Sequence, residues 1–549
     1  MCRPHFYIAL LLIISTLAVF YPVRDHDFVS DDSIHIVENP YLRPVMLPRV
    51  LELWQKPYWG LYIPVTYTVW AAIARLSELP GAGKSAPKLD PLPFHSANLI
   101  LHLVNLLIVF AILRMLTRND WAASCGALLF ALHPIQVEPV AWVSGLKDVL
   151  SGFFSLLALW QYLAYAMGTS SSANTATAQG ETQNMKRGFF HFALATLAFV
   201  LALLSKPAAA MVPLAAWLLD RYVLQRTFRQ CTVALISWVI LAVPFAVLTK
   251  WSQPDAGIEF LTPIWARPLV AGDALAFYLY QLVAPLSLGP DYSRSPELVL
   301  RHGWIYLAWV LPFGLAVLIW LGRHKRPWLV ASGGVFVVGT LPTLGFIPFS
   351  FQDISTVADR YLYFSFLGPA LSLACFLSEP RSRRGLMVLP CIGLLTLLGI
   401  QSALQAHYWS NSITLYHHVL KINPRSWLAH VGLGNSLAKQ RKFEQAMAHY
   451  LQALRIRPNE AAAYVELGNI LARQRKFEEA RTQYLEALRI DLNNAAAHNN
   501  LANVLAEQDD LDQAIAHYLK ALQIDPEYET ARHGLSLAIE EQKRRTSQR

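Results

Sequence analysis

Eleven stretches of this chain are apolar for long enough to cross a lipid bilayer, and no other feature of the sequence narrows the fold so far. A crossing helix needs roughly 17–25 residues, because no water is present in the bilayer to satisfy backbone N–H and C=O groups. The runs lie near 5–22, 92–117, 119–135, 147–166, 188–205, 206–222, 230–249, 303–321, 327–346, 360–378 and 385–404. The predicted architecture is therefore all-α, with a polytopic membrane helix bundle of about 11 spans over 1–404. Two more apolar stretches, 61–76 and 269–286, complicate the count. Letting one of them span would invert every charged loop that follows, so both are expected as interfacial or re-entrant helices. Only 15 % of the residues are charged, against about 25 % in soluble proteins, which excludes an ordinary cytosolic or disordered chain.

The short loops between the runs alternate in charge. One set carries Arg3; Arg114 and Arg118; Lys186 and Arg187; Arg221, Arg226 and Arg229; Arg323, Lys325 and Arg326; and Arg381, Arg383 and Arg384. The opposite set, near 133–147, 205–207 and 346–360, carries only Lys147, Lys206 and Arg360. The positive-inside rule places the N-terminus and the basic set in the cytoplasm, and an odd number of spans then places the C-terminus outside. The net charge of +9 thus reads as membrane topology, not as a nucleic-acid surface. The segment 167–185 is small, polar and low in complexity, and is read as a linker without chemistry. The cysteines Cys2, Cys125, Cys231, Cys375 and Cys391 all lie in or beside apolar runs without a CxxC, so neither a disulfide framework nor a thiolate metal site is expected.

From 405 to 549 the pattern changes to a 34-residue repeat. Tyr416, Tyr450, Tyr484 and Tyr518 share one phase, Pro424, Pro458, Leu492 and Pro526 a second, and Ala446, Ala480 and Ala514 a third. Gly434 and Gly468 are followed at the same spacing by Ala502. The pattern is that of tetratricopeptide repeats, in which small residues let two antiparallel helices approach and proline ends the second. Three full units are expected at about 425–526, with a leading helix near 409–422 and a polar cap to about 545. Such stacks present a concave groove for extended peptides or helices, or serve as a rigid spacer.

Chemistry is expected in the loops of the base-poor side. Asp31 and Asp32 are adjacent carboxylates just beyond the first run, suited to a site, a cation such as Mg²⁺ or Mn²⁺, or a short helix cap. The loop HPIQVEPVAWVSGLKD gathers His133, Glu138, Lys147 and Asp148. A later loop supplies Asp353, Asp359 and Arg360, and the segment SLGPDYSR adds Asp291, Tyr292 and Arg294. A guanidinium at Arg360 suits a lipid phosphate, which it grips through two N–H groups. His95, Asn98, His102 and Asn105 share one face of the second run, where hydrogen-bonded packing is favoured over metal binding.

Several stretches together resemble a known family. They are VSDDSIHIVENPYLR, FHSANLILHLVN, ALHPIQVEPVAWVSGLKDVLSGFF, LLSKPAAAMVPLAAWLLDRY and STVADRYLYF, followed by the repeats. In this order they resemble bacterial relatives of the transmembrane and tetratricopeptide-repeat O-mannosyltransferases, which are multi-spanning glycosyltransferases of the GT-C type. The resemblance implies a polyprenyl-phosphate sugar donor carrying mannose or another hexose, and an acidic residue of the first outer loop as base. It also implies transfer with inversion to a hydroxyl of a protein on the non-cytoplasmic face. Asp31 or Asp32 then takes the acceptor proton, and Arg360, Lys147 and His133 bind the donor phosphate. Glu138, Asp148, Asp359 and Asp291 are further site candidates. The rival readings are a ligase or polymerase of envelope glycans, a transporter, and a membrane scaffold that uses only its repeats.

Overall fold

The computed structural model describes residues 3–79, 88–171, 178–253, 258, 260–379 and 384–548. Cys2, Arg381, Arg383 and the 172–177 part of the polar linker lie outside the described residues. The chain divides into two compact units, Met1–Asn411 and Ser412–Arg549. Both are helical, and the only paired strands among the described residues are the two-residue segments Glu78–Leu79 and Lys88–Leu89.

In the first unit, seven described helices are long and apolar enough to cross a membrane: His5–Asp25, Leu92–Thr117, Val143–Thr169, Met185–Ser205, Phe228–Ser252, Gly303–Gly322 and Met387–His407. The protein is a multi-pass membrane protein. Four of the expected runs form shorter helices: Asp120–Leu132, Val212–Tyr222, Pro327–Thr340 and Leu367–Ser378. The longest of the four has 14 residues, about 21 Å of helix against about 30 Å of hydrocarbon. Prolines explain two of the breaks, at Pro134 and Pro207, where the preceding His133 and Lys206 are extended, because proline lacks the N–H and drives its predecessor out of helical geometry. At the third, the helix tightens into the turn Leu341–Thr343 around Pro342. In the fourth run, Asp359–Leu362 winds as a tight turn before Leu367 starts the helix. Of the two disputed stretches, one forms the helix Pro64–Ser77 and the other Arg267–Val283.

Irregular backbone at membrane depth must be satisfied by protein. The helix Leu92–Thr117 does this, packed against Asp120–Leu132 and Leu146–Ser171. Its polar face is wholly buried, and each side chain on it reaches a loop or a neighbouring helix. The Asn98 amide donates to the Trp142 carbonyl (2.7 Å), and Asn105 donates to the Val149 carbonyl (3.0 Å) and the Tyr363 hydroxyl (2.8 Å). His102 bonds Tyr363 and the Ala131 carbonyl. The expected packing role of this face holds, and Tyr363 links it to the turn that carries Arg360. Gly126 permits the next layer, since a Cβ there would sit 2.6 Å from the Ala370 carbonyl.

In the second unit, helix pairs repeat as Trp427–Lys439 with Phe443–Ile456, Ala461–Arg473 with Phe477–Ile490, and Ala495–Glu507 with Leu511–Ile524. Ser412–Ile422 precedes them and Glu529–Gln548 follows. The repeated tyrosines explain the repeated glycines: a Cβ on Gly434 would lie 2.5 Å from the Tyr450 ring, and one on Gly468 would lie 2.6 Å from Tyr484. The hydroxyls of Tyr450, Tyr484 and Tyr518 donate to Asn435, Asn469 and Asn503 at 2.7, 2.8 and 2.5 Å.

Candidate active site

The breaks in the short helices build the site. Pro134 ends Asp120–Leu132, and the chain folds through the turn Pro134–Gln136, the one-turn helix Val137–Ala141 and the turn Val143–Gly145 before Leu146–Ser171 begins. Every residue from His133 to Leu146 is buried. Gly145 is required because a Cβ there would overlap the Pro139 backbone.

Glu138 in this hairpin anchors Arg360. Its carboxylate accepts the Arg360 guanidinium (2.5 Å) and the Arg360 backbone N–H (3.1 Å). A buried ion pair needs such complete bonding to offset the desolvation of both charges. The guanidinium also faces the rings of Phe351 (4.4 Å), Tyr361 (4.9 Å) and Trp142 (5.5 Å). Lys147 lies 4.8 Å from the same Trp142 ring, so one indole faces two cations. Asp148 pairs with Lys206, whose ammonium sits 5.2 Å from the Tyr361 ring. Asp148, Ser151, Gly152, Lys206, Arg360 and Tyr361 line one cavity. Lys147 is within electrostatic reach of Asp148, Arg360, Asp31 and Lys206. The three bases of the base-poor loops therefore meet at one place.

Asp31 and Asp32 part company. Asp32 is fully buried; one oxygen accepts the Ser144 N–H (2.8 Å) and hydroxyl (2.5 Å), and the other accepts the Val29 N–H (2.9 Å). Burial pushes its carboxyl up to about 7, against the pull of these bonds. Its side chain makes no cap to the turn Ser33–Val37 that follows it. It is a strut between the first loop and the 133–148 hairpin, reinforced by Trp142 donating to the Val29 carbonyl (3.3 Å). Asp31 is exposed and within electrostatic reach of Lys147 and of His35.

Three further candidates are committed to the scaffold. His133 accepts the Ile135 N–H at Nδ1 (3.3 Å) and meets the Leu282 carbonyl through Nε2 (3.2 Å). Burial holds its imidazole down at about 4, so it stays neutral, and neither nitrogen is left over for a phosphate. Asp359 accepts the Tyr292 hydroxyl (2.7 Å), and burial, followed by the nearby Glu138 charge, raises its carboxyl well above the usual range. Asp291 accepts the Ser293 N–H of its own turn (2.8 Å). Among the described residues, no three His, Cys, Asp or Glu side chains gather to hold a metal ion. Lys206 lines the same cavity and is the candidate that sequence reasoning left out. Its signal was present, since it is one of three bases on the side where bases are rare.

Comparison with known proteins adds relatives to this geometry. A TPR repeat family matches residues 434–475, and a tetratricopeptide repeat family matches 465–529. A protein O-mannosyl-transferase of Caenorhabditis elegans is 24 % identical over 469 residues, covering 80 % of this chain and 61 % of the relative. The human protein O-mannosyl-transferase TMTC4 is 24 % identical over 506 residues, covering 81 % and 66 %. The chain thus spans 61 % to 66 % of the length of these relatives. Among solved structures, that of MamA is 24 % identical with a TM-score of 0.23, covering 24 % of this chain and 77 % of that one.

Proposed function

We infer that this chain, a homologue of the transmembrane and tetratricopeptide-repeat protein O-mannosyltransferases, is a membrane glycosyltransferase of the GT-C type. It moves mannose or another hexose from a polyprenyl-phosphate donor to a Ser or Thr hydroxyl of a protein. One observation carries the reading: Lys147, Lys206 and Arg360, from loops far apart in sequence, converge beside a cavity within reach of the exposed Asp31.

The chemistry follows from the charges. The Asp31 carboxylate takes the acceptor proton as the hydroxyl oxygen bonds to the anomeric carbon. The bond from that carbon to the phosphate oxygen breaks on the opposite face, so the configuration inverts. The phosphate leaves with the bonding pair, and its growing charge meets Arg360, Lys147 and Lys206, already fixed in a desolvated site. Glu138 and Asp148 orient these cations. The repeat groove binds the polypeptide acceptor.

The test is transfer by the purified full-length protein from radiolabelled polyprenyl-phosphate mannose to a Ser/Thr-rich polypeptide. Label in the polypeptide is expected. Use of polyprenyl-diphosphate glycans alone would instead support the ligase reading. Deleting 425–549 is expected to preserve transfer to a small model acceptor and to weaken transfer to protein. Undiminished protein transfer would make the repeats a spacer.

The proposed setting is the bacterial inner membrane, with the N-terminus cytoplasmic and the repeats periplasmic. An odd count of eleven spans puts the two ends on opposite faces and keeps the first loop and the 133–148 hairpin on the same one. Alkaline phosphatase fused after Arg549 is expected to be active and green fluorescent protein at the same place dark. The reverse pattern would overturn the topology.

A further inference from the structure

Two pairs of histidines occupy one register of the solenoid, two repeats apart. His430 and His449 approach with their Nδ1 atoms 3.0 Å apart, and His498 and His517 with theirs 2.9 Å apart. Each pair joins the first helix of a repeat to the second. The middle repeat has Tyr464 and Gln483 at these positions and forms the same helix pair, so repeat packing does not demand the histidines.

The ring orientations are fixed from behind. His498 meets the Leu492 carbonyl through Nε2 at 3.2 Å, and the Pro424 backbone stands beside His430 at the matching place in its own repeat. With Nε2 as donor, the Nδ1 lone pair points at the partner ring. A ligating histidine is usually oriented in this way, its second nitrogen donating to a backbone carbonyl. Two imidazole nitrogens on a tetrahedral zinc ion, each about 2.0–2.1 Å from the metal, lie about 3.3 Å apart. The observed separations need to open only by a few tenths of an ångström.

We propose that His430 and His449 bind a divalent transition-metal ion of the imidazole-preferring class represented by Zn²⁺. The proton that His449 Nδ1 gives to His430 moves to His449 Nε2, both rings stay neutral, and both Nδ1 atoms face the metal. Among the described residues no set of three ligands converges, so the protein supplies two and water completes the shell. The equivalent pair, His498 and His517, is the weaker site. Lys520 and Arg481 lie within electrostatic reach of it and oppose a cation, although Asp491 is also near. The first pair has the imidazole of His417 within reach instead.

The test is titration of metal-stripped full-length protein in detergent with Zn²⁺ alone, followed by calorimetry and by thermal unfolding. His430→Tyr with His449→Gln copies the middle repeat and therefore retains the helix packing. It is expected to unfold with the parent in EDTA, to lose one bound zinc, and to lose most of the zinc-induced rise in Tm. His449→Gln alone should weaken zinc binding by at least about tenfold, while His498→Tyr with His517→Gln should spare the tighter phase. Unchanged zinc stoichiometry in the first double variant would overturn the proposal, as would a parent that takes up no zinc at submillimolar concentration.

Discussion

Asp31→Asn is expected to lower sugar transfer by about 10²–10⁴ while leaving donor binding and thermal unfolding close to the parent's. The amide keeps the shape of the side chain and removes its ability to take a proton. Because Asp31 is exposed, its loss leaves no buried group unsatisfied. Asp32→Asn is expected to behave differently. Its oxygens accept from the Ser144 N–H and hydroxyl and from the Val29 N–H. An amide NH₂ must face one of these donors, which costs about 1–3 kcal/mol of stability. Donor-binding, turnover and melting measurements on both variants separate base from strut. If Asp31→Asn turns over normally while folded, the base is assigned wrongly, and the next carboxylate near the cavity, Asp148, takes its place.

The second large effect is expected at Arg360. Arg360→Lys keeps the charge but loses the planar fork that bonds Glu138 while facing the cavity. Removing one preorganised donor from developing charge typically costs about 10²–10³ in rate, and that is the loss expected here. Arg360→Ala would strand the buried Glu138 carboxylate and destabilise the fold by about 3–5 kcal/mol, so it tests folding more than catalysis. Glu138→Gln keeps one side-chain oxygen to accept the Arg360 backbone N–H and loosens the guanidinium, and should fall between parent and Arg360→Lys. Initial rates at saturating donor decide the matter. A fully active Arg360→Lys protein would remove the phosphate-binding role.

Much of this was legible because the membrane makes charge rare. Lys147 and Arg360 stood out as bases on a base-poor side, and they do meet. Lys206 stood out equally, but in front of an apolar run it served only as a marker of topology. Glu138 and Asp148 looked like spare bases because sequence does not reveal that each is already opposite a cation. Asp31 and Asp32 looked like a pair because adjacency along the chain says nothing about which side chain turns inward. Trp142 carried no signal, since an indole in an apolar loop reads as an interface anchor. The repeats were the easiest part, because a strict 34-residue phase leaves only one arrangement of Tyr450 against Gly434 and Tyr484 against Gly468. Helix length was the hardest. Hydropathy measures how apolar a run is, whereas Pro134 and Pro207 decide where regular helix gives way.

The buried hairpin from His133 to Leu146 inverts a familiar rule about where proteins tolerate change. Connections ordinarily absorb insertions and deletions because water satisfies whatever backbone they expose. Here the Trp142 carbonyl is claimed by Asn98, the Ser144 amide by Asp32 and the Arg360 amide by Glu138, all within a water-poor interior. Adding one residue would shift every one of these partners out of register. Variation in length is therefore confined elsewhere, and the solenoid offers a ready place for it. A 34-residue unit gained or lost there alters reach without disturbing any interface except the one between neighbouring repeats.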